Sequence, residues 1–200
     1  MWAGGRIAFP RPLRIGEAVR RESEILSVTP KQGRGGPLVF VTVRHVISGE
    51  DGPAIDEEHD IVYRDAPRPG ATTPPGKSPP SDPAWRRVVE PDPALLFRFS
   101  ALIFNAHRIH YDRDSVTGEE DYPGLLVHGP LTAILLLDLL RDECPGRHLA
   151  RFDYQALAPL FDTAPFTLAG APHGDTAELW AETPEGVLAM RGTATLGDAV

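Results

Sequence analysis

A single long apolar helical pattern, at residues 130–143, lies in a chain that is otherwise rich in strand-like sequence. Pro130 is typical of a first helical turn, and Pro145 and Gly146 end the pattern. We expect its apolar residues to lie in the core, namely Leu131, Ile134, Leu135, Leu136 and Leu139. Strand patterns follow at 147–157, 166–171, 177–182 and 187–195. One helix followed by an antiparallel run of strands predicts an α+β fold.

The sequence before this helix divides at a proline-dense stretch. Residues 66–84 contain seven prolines in 19 residues, which predicts an extended linker. Before the linker, the sequence predicts a helix-free meander, with strands at 18–28, 38–46 and 54–64 and a Gly-rich hairpin loop at 31–36. After it, we expect a strand at 94–104 and a polar loop at 105–122. The predicted domains are therefore 1–65, containing strands only, and 85–200, joined by the linker.

Charge and cysteine content argue against several classes of protein. A formal net charge of −8 disfavours nucleic acid as the main partner, because phosphate binding needs a basic surface. The single cysteine, Cys144, cannot form an intramolecular disulfide and fits a reducing compartment. The most apolar run, 131–140, is interrupted by Asp138 and is shorter than the roughly 20 residues of a membrane span. We therefore expect a cytoplasmic protein with no membrane partner.

Polar side chains cluster in two short segments ahead of the helix. The first, 104–112, reads Phe-Asn-Ala-His-Arg-Ile-His-Tyr-Asp, and the second, 125–130, reads Leu-Leu-Val-His-Gly-Pro. Together they resemble the active-site signature of the MaoC-like, R-specific enoyl-CoA hydratases. Within that group they are most similar to the type 2 hydroxyacyl-thioester dehydratases and the mesaconyl-C4-CoA and itaconyl-CoA hydratases. The resemblance covers nearly the whole chain and implies a hot-dog fold, in which an antiparallel sheet wraps one central helix.

The resemblance also implies a double hot-dog with an incomplete first half. Residues 1–5 are similar to a segment that lies well inside longer members of the family, so we expect an N-terminally shortened half without its helix. A loose repeat supports two related halves, because Pro12 and Leu13 correspond to Pro159 and Leu160. Hot-dog sheets usually pair edge to edge, which predicts a homodimer or a larger homo-oligomer.

Aligned on the family pattern, His110 takes the place of the catalytic histidine and Asn105 that of the catalytic aspartate. An amide cannot take up a proton at neutral pH, so Asn105 orients water or the carbonyl, or another residue supplies the base. His110 is the main acid/base candidate, because its unperturbed pKa is roughly 6.5. Gly129 is expected to offer a backbone N–H that stabilises enolate charge. The alternatives are a loop histidine capping a carbonyl and a glycine that only permits a tight turn.

Four further residues are expected to bind substrate, namely His107, Arg108, His128 and Thr132. Most of them also have a structural interpretation. Arg108 suits an ion pair with Asp112 or Asp114, and Asp112 itself suits an orienting or capping role. His128 suits a packed core position, and Thr132 suits a hydroxyl bonded to its own helix.

The resemblance implies hydration of an enoyl-CoA thioester, or dehydration of a 3-hydroxyacyl-CoA, by acid/base catalysis centred on His110. Coenzyme A enters only as part of the substrate. We expect no nicotinamide or flavin, because no Gly-x-Gly-x-x-Gly follows a strand, and no metal, because His107 and His110 lack further ligands nearby. Two alternatives keep the fold, since fold does not determine function. They are a non-catalytic acyl-CoA-binding subunit of a hetero-oligomer, and an acyl-CoA thioesterase.

Overall fold

The computed structural model describes residues 1–33, 36–64 and 76–197. Its strands are β1 (Trp2–Ala8), β2 (Arg20–Gly33), β3 (Gly36–Gly49), β4 (Gly52–Arg64), β5 (Trp85–Val89), β6 (His148–Ala156), β7 (Phe166–His173), β8 (Thr176–Glu182) and β9 (Leu188–Gly197). Its α-helices are α1 (Pro93–Leu102), α2 (Arg113–Gly118) and α3 (Gly129–Glu143), and a 3-10 turn spans Arg108–His110.

The chain forms two compact units. Unit 1 comprises Met1–Pro75, Gly146–Gln155 and Gly192–Val200, and unit 2 comprises Gly76–Pro145 and Ala156–Arg191. These borders differ from the predicted domains, because most of β6 and the end of β9 belong to unit 1. The predicted linker lies partly outside the described residues, and its described part, 76–84, contains no helix or strand. The functional domain division drawn from the sequence stays a prediction.

Unit 1 is an antiparallel sheet with the strand order β2-β3-β4-β1-β6. Val43 of β3 lies opposite His59 of β4, and Ile7 of β1 lies opposite Phe152 of β6. Gly52 follows the tight turn between β3 and β4 and has a φ of +102°, which glycine adopts without strain. The three predicted strands are present, and most of the predicted loop at 31–36 is strand. The described residues of unit 1 contain no helix.

Unit 2 combines all three α-helices with the strand order β9-β8-β7-β5. Helix α3 packs against β5, β7 and β8, and its length agrees with the sequence prediction. Its buried residues include Leu131, Leu136 and Leu139, as predicted. The core prediction was wrong for Ile134, whose side chain is 48% exposed. No helix within the described part of the chain is long and apolar enough to cross a membrane.

The segment 94–104, predicted as a strand, is helical. Asp92 caps α1 by accepting a hydrogen bond from the Leu95 N–H at 2.8 Å, and Pro93 occupies the first turn. The helix buries Leu96, Phe99 and Ser100, which share one face. A short apolar run is compatible with a strand or a helix, and here the Asp92 cap and Pro93 favour the helix. The polar loop predicted at 105–122 likewise contains the 3-10 turn and α2.

Candidate active site

The end of α1 delivers the polar segment to the site through a sharp turn. Phe104 has a φ of +53°, and the Asn105 N–H donates to the Ser100 carbonyl at 2.9 Å. The Asn105 side-chain oxygen accepts the His107 N–H at 3.0 Å, an Asx turn that stabilises the loop. The amide NH2 of half-buried Asn105 is then the part of the side chain left to act as a donor.

His110 closes the 3-10 turn with only 7% of its surface exposed. Its Nδ1 lies 2.7 Å from the Leu126 carbonyl oxygen. A carbonyl only accepts, so Nδ1 carries a proton and Nε2 of the neutral ring carries the lone pair. Burial lowers the pKa of His110 below its usual range; the Leu126 hydrogen bond raises it, and the nearby His107 lowers it further. Near pH 7 the site therefore presents a neutral imidazole whose Nε2 can accept a proton.

His128 immediately precedes α3 and stacks on His110. The two ring centroids lie 3.6 Å apart with an interplanar angle of 15°. The Nε2 of His128 lies 2.8 Å from the Ser100 hydroxyl, and the edge of Phe99 meets its ring. Burial, followed by the charge of His110, lowers the pKa of His128 to about 3. Within the described residues, its buried Nδ1 has no hydrogen-bond partner.

The Leu126 carbonyl is held in place by hydrogen bonds on either side. The Leu126 N–H donates to the Ile109 carbonyl at 2.9 Å, and the Val127 N–H donates to the Leu160 carbonyl at 2.8 Å. The Leu125 N–H donates to the fully buried carboxylate of Asp162 at 2.8 Å. That carboxylate also pairs with Arg113 of α2. This network orients His110, because it fixes the carbonyl that accepts the hydrogen bond from its Nδ1–H.

Comparison with known proteins identifies the family. A model of the "hydroxyacyl-thioester dehydratase type 2" family matches residues 1–162. The chain belongs to this family. Mesaconyl-C(4)-CoA hydratase of Chloroflexus aurantiacus is 51% identical to it over 197 residues, which are 98% of this chain and 70% of that one. The chain is thus a hydro-lyase, with hydratase/dehydratase activity on acyl-CoA thioesters.

Solved structures confirm the hot-dog fold. HtdX of Mycobacterium tuberculosis superposes with a TM-score of 0.74 at 21% identity, over 98% of this chain and 76% of that one. A MaoC-like dehydratase of Phytophthora capsici superposes with a TM-score of 0.76 at 13% identity, over 100% of this chain and 72% of that one. The predicted α+β class and hot-dog fold are therefore confirmed. The predicted resemblance to the type 2 dehydratases is confirmed by the family match and the 51% identical relative.

Among the predicted site residues, His110 and His128 are brought into direct contact. Gly129 opens α3 beside them. The exposed side chain of His107 lies near them, with its ring perpendicular to that of His110 at 6.0 Å. The Thr132 hydroxyl donates to the His128 carbonyl at 3.2 Å, the helix-internal bond named as its structural alternative. The catalytic and binding roles themselves stay predictions.

Arg108 and Asp112 have clear structural partners. The guanidinium of Arg108 is exposed and pairs with Asp112 at 2.9 Å and with Glu119 at 3.4 Å. Asp112 caps α2 by accepting the Ser115 N–H at 3.1 Å. Both oxygens of the Asp112 carboxylate are therefore engaged, which agrees with the capping role expected from the sequence. No group of three or more His, Cys, Asp or Glu in the described ranges could hold a metal, and the expectation of metal-free chemistry stays a prediction.

Two residues of the site were missed by the sequence analysis. Ser100 was placed on a strand, where nothing related it to His128, and only its position on α1 brings them together. Asp162 lies 52 residues after His110 in a segment without a motif. No sequence pattern pointed to either residue as part of the site. A helical interpretation of 93–102 would have placed Ser100 on the same buried face as Leu96 and Phe99.

Proposed function

We propose that this dehydratase hydrates a short or branched enoyl-CoA thioester, and catalyses the reverse dehydration, with His110 as the acid/base. The observation that carries the proposal is the hydrogen bond from His110 Nδ1 to the Leu126 carbonyl. It leaves the Nε2 lone pair for water. Burial favours the neutral ring, which is the form that accepts a proton.

In the hydration direction, His110 Nε2 takes a proton from water while the water oxygen bonds to the β-carbon of the substrate. The electrons of the carbon–carbon π bond move to the α-carbon and the thioester oxygen, which forms an enolate. The imidazolium of His110 then returns its proton to the α-carbon and regenerates the neutral ring. One water is consumed, and no external oxidant or base is needed.

Asn105 and Gly129 supply the polar contacts that this sequence of steps requires. The Asn105 amide has its oxygen engaged by the His107 N–H, so its NH2 group is suited to hold the attacking water. The Gly129 N–H belongs to the first turn of α3, where backbone donors and the helix dipole favour negative charge. We propose that this N–H stabilises the enolate oxygen, and that His107, Arg108 and Thr132 contribute to binding.

The substrate class rests on the relative that is 51% identical, which is named for mesaconyl-C(4)-CoA. We propose a thioester of similar size, with coenzyme A as part of the substrate and without a further cofactor. The cytoplasmic location expected from the sequence belongs to the same proposal. Small differences in acyl shape change binding by only about 1–3 kcal/mol per methylene, so a panel is needed to rank substrates.

The test is a hydration assay on crotonyl-CoA, mesaconyl-CoA and itaconyl-CoA, with the His110→Ala variant beside the parent protein. We expect kcat to fall by roughly 10²–10⁴ in the variant, because general acid–base catalysis contributes about that much. His173→Ala is the matched control, since His173 is an exposed residue of β7. Equal rates for His110→Ala and the parent would refute the proposal, as would thioester hydrolysis without hydration.

We also propose that the protein is a homodimer or a larger homo-oligomer. Apolar side chains on β2 of unit 1 are strongly exposed, with Ile25 at 65% and Val28 at 61%. Monomeric proteins rarely leave contiguous apolar surface of this kind uncovered. Light scattering after size-exclusion chromatography measures the mass directly. A monomer of 21.8 kDa at micromolar concentration would contradict this part of the proposal.

A further inference from the structure

We infer that Phe104 is a substrate-binding residue: its ring packs against the arm of coenzyme A that leads away from the thioester sulfur. This role rests on the proposed function, which supplies the coenzyme A thioester. Phe104 immediately precedes Asn105 in the segment that carries the proposed chemistry. The ring holds the carrier part of the substrate, while Asn105 and His110 act on the acyl part.

Phe104 occupies the position at the end of α1 where a helix normally has glycine. The Phe104 N–H donates to the Ala101 carbonyl at 3.3 Å, and the Asn105 N–H donates to the Ser100 carbonyl at 2.9 Å. These two hydrogen bonds form a common helix C-terminal motif, in which the residue after the cap adopts a left-handed backbone. Phe104 has a φ of +53°. Glycine is usual there, because a Cβ atom is crowded by the backbone in this conformation.

A phenylalanine with this backbone is unusual within the molecule as well. In the described part of the chain, the other non-glycine residues with a positive φ are Asp82 and Asp121. A short polar side chain tolerates the left-handed region by bonding to its own backbone, and a phenyl ring has no such bond to offer. Strained backbone of this kind is typical of active sites and ligand-binding segments, where the side chain is needed for function.

The ring of Phe104 contributes little to the folded chain itself. The residue is 96% exposed, and its neighbours Leu102 and Ile103 are 78% and 43% exposed. An apolar ring surrounded by water gains none of the free energy that burial provides. Both the backbone conformation and the exposure are therefore unfavourable for the protein alone. A ligand that covers the ring accounts for both, because burial on binding then favours the bound state.

The place of Phe104 beside the site indicates which part of the ligand covers it. Its Cα lies about 3.8 Å from that of Asn105, the spacing across a trans peptide bond. His110, which moves the proton in the proposed reaction, is only 7% exposed, whereas Phe104 is open to solvent. The reacting carbons belong to the buried end of the thioester, and the coenzyme A arm belongs to the end that leads outward. The exposed ring therefore meets the arm.

The first test measures binding of free coenzyme A, which carries the whole arm and no acyl group. By calorimetry, we expect Phe104→Ala to raise its Kd roughly tenfold, the effect of burying about one face of the ring. KM for crotonyl-CoA and mesaconyl-CoA should rise by the same factor, with kcat changed less than about threefold. A rise in KM that differs between the two acyl groups, without weaker binding of coenzyme A, would assign the ring to the acyl group and overturn the inference.

Further variants separate the ring from the backbone turn. Phe104→Gly removes the ring and relieves the left-handed strain, so its urea midpoint should exceed that of the parent while Kd rises as in Phe104→Ala. Phe104→Tyr keeps the ring and should keep the parent Kd. Phe97→Ala is the matched control, because Phe97 is a 62% exposed phenylalanine two turns earlier on α1, and we expect its Kd to be unchanged.

Three outcomes of this series contradict the role of Phe104. A Phe104→Gly protein less stable than the parent would mean that the ring stabilises the folded chain. An equal rise of Kd in Phe97→Ala would mean that the effect is not specific to Phe104. A lower molecular mass of the Phe104 variants in light scattering would assign the ring to an interface between copies of the chain.

The binding measurements also separate this role from the proposed function. If no enoyl-CoA is hydrated but Phe104→Ala weakens coenzyme A binding as expected, the proposed reaction fails while the role of Phe104 stands. If hydration occurs and depends on His110, but Phe104→Ala has the Kd and KM of the parent, the proposed function stands and the inference fails. A parent protein that binds no coenzyme A overturns the inference, whatever its activity.

Discussion

Unit 1 and unit 2 both contain antiparallel sheets, yet they bury their side chains to different depths. Among the largest fully buried side chains, Phe152 belongs to unit 1, whereas Trp180, Phe166 and the buried leucines belong to unit 2. The difference follows from α3, which packs against three strands of unit 2. The described part of unit 1 has no helix to fill that role. A sheet alone leaves its side chains half-buried, as along β3 and β4.

The same contrast appears in the histidines. His59 of unit 1 meets the Trp2 ring at 4.0 Å and is half-buried, and desolvation lowers its pKa. His128 of unit 2 meets the His110 ring at 3.6 Å and is almost fully buried, with a pKa lowered to about 3. Aromatic stacking is common to both, so it does not by itself create a site. Burial of the ring distinguishes His128, because low-dielectric surroundings strengthen hydrogen bonds and interactions between charges.

The largest expected effect is on the free energy of unfolding when a leucine is truncated in each unit. Leu136 of α3 is fully buried, and Leu136→Ala should destabilise the protein by about 3–4 kcal/mol. Leu38 of β3 is half-buried, and Leu38→Ala should cost only about 1 kcal/mol. Urea unfolding followed by tryptophan fluorescence gives both values. Equal losses would mean that unit 1 is buried in solution to the same depth as unit 2.

A smaller difference is expected between two carboxylates that pair with arginines. The carboxylate of Asp162 is fully buried against Arg113, and Asp162→Asn should cost roughly 2 kcal/mol because one charge is left without its partner. Asp60 is partly exposed and binds Arg6 at 2.8 Å, so Asp60→Asn should cost only about 0.5–1 kcal/mol. Urea unfolding compares them. The hydration assay adds a second readout, since only Asp162 holds the loop that orients His110. A kcat for Asp162→Asn equal to that of Asp60→Asn would contradict this positioning role.

Most of the fold could be predicted from the sequence because its signals are local. Pro130 and Pro145-Gly146 bracket α3 within the chain itself, and the β-branched runs predict β3 and β4 directly. The wrong prediction of a strand at 94–104 also results from relying on local sequence patterns. Its apolar residues fit a strand as well as a helix, and only the Asp92 cap and Pro93 distinguish the two. Ile134 is exposed because it lies on a face of α3 that unit 2 covers less than the face carrying Leu136 and Leu139.

The site was predictable only where its residues lie in a motif. His110 and His128 fall in two segments with a recognisable pattern, and the structure stacks them. Ser100 and Asp162 carry no motif and act through partners that are distant in sequence. The depth of burial that separates His128 from His59 is a property of packing. It cannot be inferred from the residue type or from the neighbouring residues.

The third prediction concerns how stability depends on pH. In the unfolded chain both His59 and His128 titrate near pH 6.5. Their folded pKa values are lower, so the unfolded chain binds more protons below that pH, and stability is complete above it and falls as the pH falls. For His128 the window extends from about pH 6.5 down to about pH 3, with a slope approaching 1.4 kcal/mol per pH unit. The half-buried His59 should contribute a shallower slope.

The measurement is urea unfolding at several pH values between 4.5 and 8, about the range in which carboxylates remain mostly charged. His128→Gln removes the titrating ring and should flatten the dependence clearly, whereas His59→Gln should change it only slightly. Slopes are compared rather than absolute stabilities, since each substitution also alters packing. His110 has a lowered pKa as well and keeps part of the dependence in His128→Gln. If the two variants flatten the dependence equally, the deeper enclosure of unit 2 is not what lowers the pKa of His128.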